Sequence, residues 1–183
     1  MWTQKEIIIK NKSRGFHLIT DEIIKKLPEL KKINIGILHI FINHTSASLT
    51  INENTDSSVR TDLESHFNRM VPEKKEFYTH TFEGEDDMPA HLKVAILGNS
   101  LSIPIKNGNL NLGIWQGVFL CEHRNKINSR KAVLISEMVR DYMKEEEQII
   151  SELGGDPLLK LKSRELDIKA RQNEAKKAYD EGR

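Results

Sequence analysis

Three histidines, His44, His80 and His91, stand where apolar patterning starts or stops, the places from which a fold can send side chains to a shared site. The other four are His17, His39, His66 and His123. His39 alternates with Ile35, Ile37 and Phe41 and reads as a core residue; His17 and His66 sit in undistinguished surroundings. His91 follows Asp87 by four residues, which puts both on one face of a helix. With Asp87 as N-cap, His91 lies in the first turn, where the helix dipole disfavours imidazolium. Neutral imidazole is the form that ligates a metal ion. The plainer reading is that Asp86 or Asp87 caps the helix and His91 covers its end. The three-histidine spacing does not close like a zinc finger.

A second polar group, Asn52, Glu53, Asn54, Asp56 and Asp62, follows an apolar strand pattern. Asn54 or Thr55 can cap the next helix, with Asp56 in its first turn. Glu53 shares parity with Leu49 and Ile51, so it is expected to point inward, where a carboxylate needs a partner. It is the expected general base, or the group that orients a ligand. Thr45, Ser46, Ser48 and Gln116 can hydrogen-bond an anionic oxygen, and Lys93, Arg124 and Arg130 can complete a phosphate site. The chain has no Walker loop, dinucleotide fingerprint or Gly-x-Ser-x-Gly elbow. Its single cysteine, Cys121, lies in an apolar strand and reads as an inert core thiol.

The elements that must position these groups are legible in outline. "EIIIK" and "GFHLIT" read as strands, and 20–32 as a helix capped by Thr20 or Asp21 that stops or kinks at Pro28. Residues 33–43 are apolar at both parities, the mark of a strand buried on both faces. "SLTINEN" is a strand, and Val59, Leu63, Phe67 and Met70 space a helix. "EFYTHTFE" alternates and predicts another strand. "DDMPAHLKVAILG" predicts a short helix with Pro89 in its first turn and Gly98 closing it. Two alternating runs flank Asn107-Gly108, a tight hairpin signal, and "RKAVLISEM" is a last strand. The fold class is α+β and β-rich, sandwich-like with flanking helices. It occupies residues 1–139, and a charged helical extension, broken at Gly154-Gly155-Asp156-Pro157, occupies 140–183.

The 183 residues carry 28 lysines and arginines against 27 aspartates and glutamates, a balance that gives no global pull toward nucleic acid or an acidic membrane. One cysteine excludes an intrachain disulfide and suits a reducing compartment. No run approaches a membrane span, and "MWTQKEIIIK" lacks a signal-like apolar stretch, so the expected location is cytoplasmic.

The segments "HTSASLTINENTD", "DDMPAHLKVAILGNSLSIPI", "NGNLNLGIWQGVFLCEHR" and "RKAVLI" together resemble the YjbQ family, also called the secondary thiamine-phosphate synthase family, over about residues 1–138. The resemblance implies a β-sandwich with flanking helices, assembled as a homotrimer around a metal-associated histidine site. It places functional positions on His44, Thr45, Ser48, Asn52, Glu53, His80, His91, Gln116, Glu122 and Arg130, with His123 in a variant segment. Relatives typically end soon after the last core strand, so the extension is expected to bind a neighbouring subunit or another protein.

The expected function is a metal-dependent enzyme acting on a phosphorylated or pyrophosphorylated small molecule. His44, His80 and His91 are the expected ligands of a divalent ion, zinc for imidazole donors or magnesium arriving with pyrophosphate. Asn52 and Glu53 are the expected catalytic residues, and Thr45, Ser46, Ser48, Gln116, Glu122 and Arg130 the contacts to substrate. The reaction the resemblance implies couples a pyrimidine pyrophosphate to a thiazole phosphate, as a weak thiamine-phosphate synthase. The alternatives are a non-catalytic trimer that retains a small anion or metabolite, and metal-dependent phosphoester hydrolysis.

Overall fold

The computed structural model describes residues 2–126 and 128–138; the expected helical extension over 140–183 lies outside them. In chain order the described elements are β1 (Trp2–Lys12), β2 (Gly15–Leu18), α1 (Thr20–Lys26), a 3-10 turn (Pro28–Lys32), β3 (Ile35–Ile42), β4 (Ala47–Glu53), α2 (Ser57–Met70), α3 (Asp87–Leu97), β5 (Ser100–Lys106), β6 (Asn109–Leu110), β7 (Gln116–Glu122) and β8 (Asn128–Met138). Two antiparallel sheets result, one ordered β1-β8-β3-β5-β6 and one ordered β2-β7-β4. Their facing sides form one apolar core: Ile7, Ile9, Leu38, Ile40, Ile103 and Leu134 from the larger sheet meet Leu49, Val118 and Leu120 from the smaller. The period of two along each strand decides which residues enter it. The other side of β7 is covered too, because Phe119 and Cys121 pack with Phe16 and with Phe67 of α2. This is the α+β sandwich the sequence predicts.

The β4–β7 register sets the geometry of everything below. Ala47 pairs with Glu122 at one end of the ladder and Glu53 with Gln116 at the other. Six residues of strand separate the two ends, roughly 20 Å.

Local chemistry explains several boundaries. Asn107 and Gly108 both have positive φ, 51° and 73°, the pair a type I′ hairpin requires. The turn joins β5 only to the short β6 before the chain leaves for the other sheet. Pro28 ends α1, as expected, and the chain tightens into the 3-10 turn.

Four expectations are corrected. Residues 76–83 are not a strand: the segment folds into local turns, with Tyr78 N–H donating to Lys75 O and Gly84 N–H to Thr81 O. Its alternation has no sheet edge to join, and Phe77 and Phe82 are both exposed. β3 is buried on one side only, since among the described residues the larger sheet is covered on one face. His39 therefore lies on the outer face, paired with Ser102 Oγ at 3.0 Å, and is not a core residue. The caps differ as well. Asp56 itself caps α2, accepting from Ser58 N–H at 2.8 Å, and Thr20 does not cap α1 because its hydroxyl accepts from Val118 N–H.

Candidate functional site

The helix α3 begins at Asp87, so Asp87 and His91 stand one turn apart on the same face. Asp86 occupies the N-cap position without capping. Its carboxylate instead accepts from Asn125 N–H at 2.7 Å and Arg124 Nε at 3.1 Å. Burial works against charge there, but those two donors hold the Asp86 carboxyl below the usual range. Asp87 is buried, with one oxygen on the Arg124 guanidinium and the other facing two imidazoles. His80 Nε2 lies 2.8 Å from Asp87 Oδ2, and His91 Nε2 lies 3.4 Å from the same oxygen.

Among the described residues, His80, Asp87 and His91 thus bring three donor atoms within 4.8 Å of one another. A tetrahedral ion with bonds of about 2.0–2.2 Å holds its donors roughly 3.3–3.6 Å apart, so modest adjustment of His80 would suit one. The tautomer fits as well. His91 Nδ1–H donates to the Thr45 carbonyl at 2.8 Å, which leaves the Nε2 lone pair turned toward Asp87.

His44 does not join this group. Lys131 N–H donates to His44 Nε2 at 2.9 Å, so the ring proton sits on Nδ1. Nδ1–H then faces another donor, Arg130 NH1, at 3.4 Å, and Arg130 NH1 lies 3.3 Å from Ser46 Oγ. Burial and then the Arg130 charge lower the His44 pKa, keeping the ring neutral near pH 7. Ser46 Oγ accepts from Arg130 there, which leaves its own hydroxyl hydrogen and His44 Nδ1–H as donors beside a cavity of about 350 Å³ lined by Phe41, His44, Thr45, Ser46 and Asn99. Such a corner can take an oxyanion. The Thr45 carbonyl that fixes His91 is flanked in sequence by His44 and Ser46, so one turn of chain serves both clusters.

Glu122 and Ser48 stand behind this corner. Glu122 is fully buried; both its oxygens accept from Arg130, and Oε1 also accepts from Arg124 N–H. It orients Arg130 and presents no free oxygen to a ligand. Ser48 is equally buried, with Oγ 2.7 Å from His123 Nε2. That serine–histidine pair is sealed in the core, as is Cys121, whose thiol burial pushes up to about 12.

Asn52, Glu53 and Gln116 lie at the opposite end of the β4–β7 ladder. Asn52 Oδ1 accepts from Glu53 N–H, and Gln116 Oε1 accepts from Gly113 N–H. Within one chain they do not meet the histidines. Sequence reasoning thus grouped eleven residues that the chain separates into two ends, and it left out Asp87, the carboxylate that meets both imidazoles. The signal for Asp87 was present in its four-residue offset from His91.

His123 supplies a pH dependence. Burial, then the charges of Lys93, Arg14 and Arg130, lower its pKa to about 3 from 6.5. Between those values the unfolded chain binds a proton that the folded chain refuses, so stability falls as pH drops below 6.5. Urea midpoints should decline on acidification and decline less steeply in His123→Gln. Equal slopes for the two proteins would contradict this assignment.

These features define a class: a small α+β sandwich carrying a histidine–carboxylate cluster beside a buried, carboxylate-oriented arginine. The chain belongs to the UPF0047 YjbQ-like family, whose model matches residues 5–140. The UPF0047 protein YjbQ of Escherichia coli O157:H7 is 50% identical over 133 residues, 73% of this chain and 96% of that protein. The Salmonella typhimurium YjbQ is 51% identical over the same length. A crystal structure of a YjbQ/UPF0047-family protein from Clostridium acetobutylicum shares the fold with a TM-score of 0.63 at 34% identity, covering 72% of this chain and 98% of that one. No described helix is long and apolar enough to cross a membrane.

Proposed function

We propose that this protein is a metal-dependent enzyme acting on a phosphorylated or pyrophosphorylated small molecule. The observation that carries the reading is the pairing of two clusters on one turn: His80, Asp87 and His91 as donors for a cation, and Arg130, Ser46 and His44 as donors for an anion. Two imidazole nitrogens and a carboxylate suit zinc better than magnesium, which prefers oxygen ligands. A bound divalent ion would supply neutralisation of charge on a leaving phosphate or activation of a water. The chain's own groups do the rest. Thr45 O holds the His91 ring in its ligating tautomer, Glu122 aims Arg130, and Lys131 N–H directs the His44 Nδ1 proton at the anion corner.

The specific reaction proposed couples a pyrimidine pyrophosphate to a thiazole phosphate: the methylene carbon–oxygen bond breaks, pyrophosphate departs, and the thiazole nitrogen bonds to that carbon. Zinc titration followed by product analysis with both substrates tests it. Phosphate release without the thiazole partner would indicate hydrolysis instead. One observation favours the rival reading of a non-catalytic anion-binding trimer, namely that Glu53, the proposed base, lies at the far end of β4. Tight anion binding without turnover, unchanged in Glu53→Gln, would establish that rival.

The proposed assembly is a homotrimer. Its support is the outer face of the larger sheet, where Trp2 of β1 and Ile35, Ile37 and Phe41 of β3 are exposed, Trp2 and Ile37 lining a cavity of about 300 Å³. An antiparallel sheet commonly leaves one face to solvent, but that face is then polar. Light scattering should give a trimer mass for the parent and a monomer mass for Ile37→Asp; a parent that is itself monomeric would refute the assembly. The charged segment 140–183 is proposed to bind a neighbouring subunit or another protein.

A further inference from the structure

We propose that Arg124 is a positioning residue, which fixes Asp87 as the carboxylate arm of the cation site; the proposal rests on the metal reading of His80, Asp87 and His91. Arg124 follows β7 directly and is itself buried. Every polar edge of its guanidinium is committed to the segment that carries Asp87. Nε meets Asp86 Oδ2 at 3.1 Å, NH1 meets Asp87 Oδ1, and NH2 donates to Glu83 O at 2.8 Å. Its own backbone N–H is held by Glu122 Oε1 at 3.0 Å. One planar fork therefore pins the N-terminus of α3 and the turn before it to the end of β7.

The consequence for the site is directional. With Oδ1 taken by Arg124, the carboxylate plane is set and Oδ2 is the oxygen left for the imidazole side, where both His80 and His91 meet it. Arg124 also sets its positive charge against both Asp86 and Asp87, easing the repulsion between two adjacent buried acids. It touches neither the proposed ion nor the anion corner. Of the three groups of the cation cluster, its guanidinium bonds Asp87 alone, and such outer partners typically set metal affinity by ten- to a hundredfold.

The test is a set of zinc titrations on the full chain with folding checked by circular dichroism. Arg124→Ala should weaken zinc binding by about ten- to a hundredfold at unchanged stoichiometry, and Arg124→Lys should recover part of the loss. In an Asp87→Asn background, Arg124→Ala should have little further effect on affinity, a result that general destabilisation would not give. A zinc-free readout runs alongside: the ring ¹⁵N shifts of His80 and His91 should move in Arg124→Ala and return toward the parent in Arg124→Lys. If the parent binds no zinc, the metal reading fails while the ring shifts still report on Arg124. Unchanged ring shifts, or a folded Arg124→Ala with parental zinc affinity, would overturn the proposal.

Discussion

Glu122→Ala should destabilise the folded chain by about 3–5 kcal/mol, the cost of leaving a buried charge without its partner. Glu122 has no solvent exposure, and its two oxygens accept three hydrogen bonds, two from Arg130 and one from Arg124 N–H. Arg130 is nearly as buried, so removing the carboxylate strands a guanidinium that has only Ser46 and His44 nearby. A neutral Ser46 hydroxyl and a neutral imidazole donor do not replace an ionised acceptor. The double change Glu122→Leu with Arg130→Met removes both charges and should be far less damaging. Urea denaturation of the three proteins measures this; a loss below about 1 kcal/mol in Glu122→Ala would show that the pair contributes little.

The second large effect concerns the proposed cation site. The parent should bind one zinc ion per chain, and His80→Ala and His91→Ala should each weaken that binding by more than about a hundredfold, beyond the loss typical of an outer partner. His80→Ala is the cleaner variant, because its ring is about half exposed and its loss leaves no buried group without a partner other than Asp87, which keeps Arg124. His44→Ala decides between two triads. The sequence puts His44 among the ligands, whereas its ring is committed to Lys131 N–H and faces Arg130, so its removal should leave zinc affinity within a few fold. Glu53→Gln should likewise leave it unchanged, being at the other end of the ladder. A hundredfold loss in His44→Ala would restore the original triad.

Most of the strand and helix order was legible because burial imposes a period. Ile7 and Ile9, Leu38 and Ile40, and Ile103 and Ile105 alternate as a sheet facing a core must. The same logic failed at residues 76–83, where alternation is present but no edge is available to pair with. It failed at His39 for a related reason, since parity separates two faces of a strand but does not say which face another sheet covers. The anion corner was partly legible in Ser46 and Arg130. What the sequence could not reveal was how those groups divide. Glu122 looks like a ligand contact until its burial beneath Arg130 is seen, and Glu53 looks adjacent to His44 until nine residues are drawn out as an extended strand. Asp87 was read from the sequence only as a cap, and the distances to two imidazoles are what place it with the histidines.

The sealed position of Cys121 leaves the folded protein without a reactive thiol. A thiol that stays protonated and out of reach will ignore maleimides and spin labels under native conditions. A cysteine placed on the surface beside the histidine cluster, at Phe82 for instance, would carry a probe alone, with no need to engineer a cysteine-free background.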